Sequence, residues 1–287
     1  MEVDDQEKEN QLQDERYDRT IRALTAEVAL KLMKSRIALS PMNGVITEFM
    51  KNIILDGANV TIFDDGKVTE DDVGTNFMLS PNDIGKVKGE VLKEKFNEMN
   101  PYSRIEAKPL LNINEIYQQT VEEKSNLLKD FDIIAVSTTN FQEMILWDKL
   151  ATYLNKPLYI LNCCGLYGFV WINLGKDFTY RRIKPKVEVL SAGDNQEAES
   201  AKQENAEFEE VTVSCKPLEE CLNPNIKGKS IVYYAIVMMY EAEKNNLRYD
   251  PYNPDESVLD KIVEIGKDFY TRNKFRFNDT VEPTLRL

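Results

Sequence analysis

The chain has 287 residues, and 42% of them are hydrophobic, enough for one large globular body or a core domain with an insertion. Its 49 acidic side chains outnumber 36 basic ones, a formal net charge of -13, which opposes binding to nucleic acid or anionic membranes. The sequence contains no histidine, the usual general base near neutral pH and the commonest metal ligand. Any chemistry must therefore use carboxylates, lysine, arginine or thiols.

Hydropathy and the amino-terminal residues predict an intracellular protein. The longest apolar stretches, Leu158–Leu161 and Tyr233–Tyr240, are shorter than the roughly 18 to 20 residues that cross a bilayer. Residues 1–15 are acidic and polar, without the basic and apolar regions of a signal peptide. We therefore expect no membrane association and a disordered acidic tail over residues 1–15.

The first elements along the chain follow the order helix, strand, turn, helix, strand. Apolar residues spaced by three and four predict a helix, and short apolar runs next to turn residues predict strands. The successive segments are Asp18–Lys34, Ser35–Leu39, Ser40–Gly44, Val45–Asp56 and Val60–Phe63. This order is typical of the first unit of a doubly wound parallel sheet.

The same pattern continues over four further segments, the helices Gly85–Asn100 and Phe141–Leu154 and the strands Phe131–Val136 and Pro157–Leu161. We therefore predict an α/β fold, a Rossmann-like, doubly wound, mainly parallel sheet over residues 16–175. Residues 176–287 should form a helical and strand extension. It should contain a mobile loop at about residues 191–206, a strand at Phe208–Val213, and helices at Ser230–Asn246 and Val258–Asn273.

The motif Arg16-Tyr-Asp-Arg-Thr-Ile-Arg22 resembles the opening signature of ubiquitin-like modifier activating enzymes and their bacterial ThiF and MoeB relatives. Further motifs follow in the order and spacing of that superfamily: Ser35–Leu39, Lys51–Leu55, Val60–Asp64, Asp72–Phe77, Asn97–Pro101 and Lys156–Tyr159. Val211–Leu222 and the helix Ser230–Asn246 look most like the non-catalytic, Aos-type subunit of the SUMO-activating heterodimer. The regulatory subunit of the neddylation enzyme shares the opening motifs, although it is normally much longer, and is the alternative.

The turn Ser40–Gly44 stands where an adenylating member of this superfamily has a glycine-rich turn, whose backbone N–H groups approach phosphate at a helix N-terminus. Pro41 has no N–H, and Met42 adds bulk, so we expect a phosphate to lose donors and meet side chains there. By resemblance, Thr75 replaces a nucleotide-contacting arginine and Thr139 replaces a magnesium-binding aspartate. These departures indicate a pseudo-active site.

Two residues of the family pocket are retained. Asp64 matches the ribose-binding acid, and Lys88 matches the lysine on the phosphate side. Without the rest of the pocket, an aspartate at a strand end also fits a turn or cap residue, and a lone lysine on a helix also fits a solvated side chain. We therefore expect Asp64 and Lys88 to be vestigial, with no cofactor or metal bound by this chain alone.

Arg19 is the residue that the resemblance gives a role in catalysis. In the family, the arginine at this position reaches across the dimer interface to the ATP phosphates of the partner. A guanidinium is always charged and presents a planar fork to phosphate oxygens. The alternative is a surface salt bridge with Asp18 or Glu15, and Arg22 is a weaker, structural candidate.

The resemblance also implies the rest of the system. ATP and magnesium should bind a catalytic Uba-type subunit, which should also carry the structural zinc and the thioester cysteine. The complex should act on a SUMO-like modifier, in the nucleus and also in the cytoplasm. We expect Cys163 and Cys164 to be buried structural thiols at the end of a strand, since no basic residue beside them would stabilise a thiolate.

Two other functions fit the same fold. An autonomous adenylating enzyme of the ThiF type would need the glycine turn and the magnesium carboxylate, and an acidic scaffold would leave Arg19 without a role. Family members usually continue into a strand–helix unit that contains Gly-Gly, and this sequence ends at Thr284–Leu287 before one. Either the chain diverges there or the sequence is incomplete.

Overall fold

The structure is a computed structural model that describes residues 15–24, 26–122, 127–164, 167–183, 208–223, 231–247 and 255–272. The predicted tail, apart from residue 15, and the predicted loop at residues 191–206 lie outside the described residues.

Six strands form the main sheet in the order β3-β2-β1-β4-β5-β6. The first five are parallel, and β6 runs antiparallel to β5. The strands are β1 (Arg36–Ser40), β2 (Asn59–Phe63), β3 (Ile105–Lys108), β4 (Ile133–Val136), β5 (Leu158–Cys164) and β6 (Tyr167–Asn173). The predicted mainly parallel, doubly wound α/β sheet is therefore confirmed.

Helices surround this sheet, and a second sheet pairs β7 (Phe178–Ile183) with β8 (Phe208–Val213). The helices of the first half are α1 (15–24), α2 (Ala26–Lys34), α3 (Gly44–Leu55), α4 (Glu70–Thr75) and α5 (Lys88–Met99), with a 3-10 turn at Pro81–Asp83. Those of the second half are α6 (Ile113–Glu122), α7 (Phe141–Leu154), α8 (Leu218–Cys221), α9 (Ile231–Lys244) and α10 (Glu256–Arg272).

Two apolar clusters hold the layers together. Helices α3 and α5 pack on β1 to β3, and α3 buries Ile46, Met50 and Ile54 at intervals of four residues. Helices α6, α7 and α9 contribute to the second cluster. Because helices lie against both faces, β1 and β2 are buried over nearly their whole length, as expected for central parallel strands.

A buried carboxylate attaches the chain beyond the main sheet to this core. Asp148 of α7 is 2% exposed. It accepts hydrogen bonds from the Trp171 indole at 2.8 Å, the Asn173 amide at 2.8 Å and the Leu218 backbone N–H at 2.9 Å. One side chain therefore connects α7, β6 and α8.

The edge of the sheet contradicts one prediction. Cys163 is exposed near the end of β5, not buried. It pairs with Gly168 of β6, and Val170 and Ile172 on the same face are 57% and 44% exposed. The expectation of burial was wrong for Cys163, because the helices of the described residues leave this face of the sheet edge exposed. Among the described residues, no helix is both long enough and apolar enough to cross a membrane.

Candidate functional site: a self-bonded pocket at the carboxyl edge of the sheet

The turn 40–44 leaves β1 at the carboxyl edge of the sheet, where β2 lies on one side and β4 on the other. Such a switch in strand order is where open α/β sheets bind ligands. Asn43 is the N-cap of α3, and its carbonyl oxygen accepts a hydrogen bond from the Ile46 N–H at 3.0 Å. Its amide group donates to the Ser137 hydroxyl at 2.7 Å. Asn43 thus joins the turn after β1 to the turn after β4.

Two backbone donors of the turn, the N–H groups of Met42 and Asn43, are bonded within the chain. The Met42 N–H donates to Asp64 Oδ2 at 2.8 Å, and the Asn43 N–H donates to the Pro41 carbonyl at 3.0 Å. The Met42 side chain is fully buried in the core. Our expectation that its bulk blocks the turn was therefore wrong, because the side chain lies in the core and the backbone N–H is what is occupied.

Asp64 and Lys88 lie together in this pocket. Asp64 is 4% exposed, and its second oxygen accepts the Gly66 N–H at 2.9 Å. The Lys88 ammonium lies 2.7 Å from Asp72 Oδ1 and 4.0 Å from Asp64 Oδ2. The Lys88 side chain is 14% exposed. It is therefore not the solvated lysine that the sequence allowed, and two carboxylates of its own chain neutralise it.

Asp72 is a residue of this site whose role was not predicted from the sequence. Burial raises the pKa of Asp72, but hydrogen bonds from Lys88 and from Thr69 outweigh burial, so its pKa is lowered overall. The same carboxylate closes the capping box of α4, because it accepts the Thr69 N–H at 2.9 Å. Asp72 therefore orders α4 and holds Lys88 at the same time.

Helix α4 lies directly against the start of α3. A Cβ atom at Gly44 would lie 2.2 Å from the Thr75 carbonyl oxygen, so only glycine permits this approach. The buried Asn76 side chain donates to the Thr47 hydroxyl at 2.8 Å and fixes the contact. Thr75 itself is exposed, and its hydroxyl bonds the Asp71 carbonyl at 2.8 Å.

A second helix, α7, begins at the same edge, and the N–H groups of its first three residues are bonded to side chains of this chain. The Asn140 side chain accepts the Gln142 N–H at 2.9 Å and the Glu143 N–H at 3.1 Å. The Glu243 carboxylate of α9 accepts the Phe141 and Gln142 N–H groups, each at 3.2 Å. An anion of this chain thus occupies the N-terminus of α7, where a helix attracts negative charge. Thr139 is exposed in the preceding turn.

Arg19 lies apart from this pocket. The Thr20 hydroxyl donates to Asp56 at 2.7 Å, which places α1 at the C-terminal end of α3. Since α3 has 12 residues, this end is about 18 Å from the turn at its other end, at about 1.5 Å per residue. Arg19 is exposed, and within the described residues it has no ion pair; Asp18 pairs with Arg22 at 3.0 Å instead. The Arg19–Asp18 alternative is therefore wrong.

The model of the ThiF family matches residues 17–251 of this chain. The chain belongs to the ThiF family. It is 31% identical over 159 residues to DNA damage tolerance protein RHC31 of Saccharomyces cerevisiae, covering 55% of this chain and 44% of that protein. It is 26% identical over 219 residues to SUMO-activating enzyme subunit 1 of Mus musculus, covering 74% and 60%.

This ThiF-family chain thus spans about half the length of the curated relatives that it matches. Among solved structures, PaaA is similar at 18% identity with a TM-score of 0.48, covering 56% of this chain and 51% of that one.

Proposed function

We propose that this chain is the regulatory, non-catalytic subunit of a SUMO-activating heterodimer. In this proposal the catalytic subunit binds ATP and magnesium, adenylates the modifier and carries it as a thioester. This chain supplies Arg19 to the ATP phosphates of that subunit. The relatives named SUMO-activating enzyme subunit 1 support this choice over the neddylation enzyme. We place the complex in the nucleus, with a share in the cytoplasm.

One observation carries the proposal: donors in the pocket of this chain are already bonded to carboxylates of the same chain. Asp64 occupies the Met42 N–H, and Asp72 occupies Lys88. A phosphate binds to free N–H groups and to an available cation, and neither the Met42 N–H nor Lys88 is free. A nucleotide phosphate would have to replace a carboxylate at each of these donors.

The opening helices support a partner interface on the other side of the molecule. Leu24, Val28 and Leu30 are 40%, 47% and 51% exposed, close in sequence to the exposed Arg19. Several large apolar side chains exposed along one short segment fit a segment that another protein covers. An obligate interface would bury more than about 2,000 Å² in total.

Nucleotide binding by the purified chain tests the first half of the proposal. Isothermal titration calorimetry with ATP and magnesium should give no measurable heat of binding, and the chain alone should catalyse no pyrophosphate exchange. Micromolar binding of ATP would contradict the proposal and favour an autonomous enzyme. A chain that stays monomeric and recovers no activating-enzyme subunit from its own cells would contradict the heterodimer.

Replacement of Arg19 tests the second half. In a heterodimer with the catalytic subunit, Arg19→Ala should leave assembly intact, because the side chain is exposed. It should lower the adenylation rate about a hundredfold, or about 3 kcal/mol. Arg19→Lys should recover only part of the rate, since an ammonium lacks the bidentate fork. Arg22→Ala, on the same helix, is the matched control, and a normal rate with Arg19→Ala would leave the chain as a scaffold.

A further inference from the structure

The opening motif contains side chains that hold α1 to the rest of the chain and exposed side chains, Arg19 among them. Tyr17 is 2% exposed, and its hydroxyl accepts a hydrogen bond from the Asn100 side-chain amide at 2.8 Å. The Thr20 hydroxyl donates to Asp56 at 2.7 Å. Arg19 lies between these two contacts in sequence and is exposed. The helix is thus fixed on either side of the arginine.

The contact around Tyr17 is specific for a tyrosine ring. Asn100 is fully buried, and its amide also donates to the Ile54 carbonyl at 2.7 Å, so its orientation is set independently of Tyr17. Gly57 has a φ of 89°, and a Cβ there would lie 3.1 Å from Tyr17 Cζ. Glycine at position 57 therefore gives the ring room and also adopts a conformation that other residues rarely take.

Arg16 strengthens the same attachment. Its guanidinium donates to the Met99 carbonyl near the end of α5 at 2.9 Å and lies 5.6 Å from the centre of the Tyr102 ring. Two arginines of one motif therefore have different surroundings. Arg16 bonds its own chain, whereas Arg19 makes no hydrogen bond or ion pair to the described residues.

We propose that Tyr17 and Thr20 are positioning residues for Arg19: they fix the α1 backbone so that the guanidinium projects toward a phosphate held by another chain. The inference rests on the proposed role of Arg19. When a long side chain reaches into another protein, the position of its end depends on where its Cα is held. Misplacement by about 1 Å can lower a reaction rate about a hundredfold.

A double-mutant cycle tests this inference in the assembled heterodimer. The variant Tyr17→Phe/Thr20→Val removes both hydroxyls and keeps the size of both side chains. The adenylation rate is measured by pyrophosphate exchange at a saturating concentration of the modifier and at varied concentrations of ATP. We expect kcat to fall about tenfold, with KM for ATP and the dissociation constant of the heterodimer within twofold of the parent. In the Arg19→Ala background, the same two changes should produce no further loss, because there is no guanidinium to position.

Three outcomes separate the ideas. An unchanged rate for the paired variant, with Arg19→Ala slow, overturns the positioning role and leaves the proposed function intact. An equal loss in both backgrounds also overturns it, because the two residues then act only on general stability. A normal rate for Arg19→Ala overturns the proposed function, and the positioning role with it. If the paired variant does not fold, the same cycle is measured with Thr20→Val alone. Thr20 is only half-buried, so this single change should be tolerated.

Discussion

Replacing Asp64 tests whether the pocket is a structural element. In a nucleotide site, an acid at this position would contact ligand, and its loss would affect binding more than folding. Here the carboxylate is 4% exposed and accepts two backbone N–H groups, from Met42 at 2.8 Å and Gly66 at 2.9 Å. Hydrogen bonds to a charged group contribute about 1.5–3 kcal/mol each. We therefore expect Asp64→Ala to lower the free energy of unfolding by about 3–5 kcal/mol.

The neighbouring residue provides the control. Asp65 is exposed and accepts one N–H, from Leu110 at 3.1 Å, so Asp65→Ala should cost less than about 1 kcal/mol. Urea unfolding of both purified variants, followed by circular dichroism, gives the two free energies with a check on the m-value. If Asp64→Ala lowers the free energy of unfolding by less than about 1 kcal/mol, the hydrogen bonds of Asp64 do not stabilise the fold, and the reasoning is refuted.

Two further predictions concern carboxylates. Because the pKa of Asp72 is lowered in the folded chain, its stabilising contribution should be present above its unfolded pKa of about 3.9 and be lost as pH falls through the folded value. The stability difference between the parent and Asp72→Asn should therefore shrink when urea unfolding is repeated at pH values below about 4, and a constant difference would contradict this sign. Asp148→Ala leaves three donors without their acceptor and should cost about 3–5 kcal/mol. Asp130→Ala, which removes an exposed ion pair with Arg36, should change stability by less than about 1 kcal/mol.

Elements with a strong local pattern could be predicted from the sequence. The bounds of α7 and β8 match the predictions to the residue. Asn140 supplies an N-cap before the apolar run of α7, and most residues of β8 are aromatic or β-branched. The short edge strand β3 and the helices α4 and α6 were missed. Strand β6 was also missed, although the apolar run Phe169–Ile172, rich in aromatic and β-branched residues, was visible in its sequence.

The pocket could be predicted only in part. The resemblance predicted that Thr75 and Thr139 replace family residues, and this stays a prediction. The partners of Asp64 and Lys88 could not be predicted from the sequence. Asp72 of α4 meets Lys88 at the start of α5 only in the folded chain, and Glu243 bonds α7 from 102 residues away in the chain. The Met42 error has the same origin, because sequence does not tell which way a turn residue points.

The self-bonded pocket also bears on how the amount of folded chain is controlled. A protein that binds a ligand only when folded gains stability from that ligand by mass action, so its folded population follows the ligand concentration. Because Asp64 and Glu243 supply anions from within the chain, we expect folding to need no nucleotide. The folded population should then be insensitive to cellular ATP, and a binding partner would be the main source of added stability.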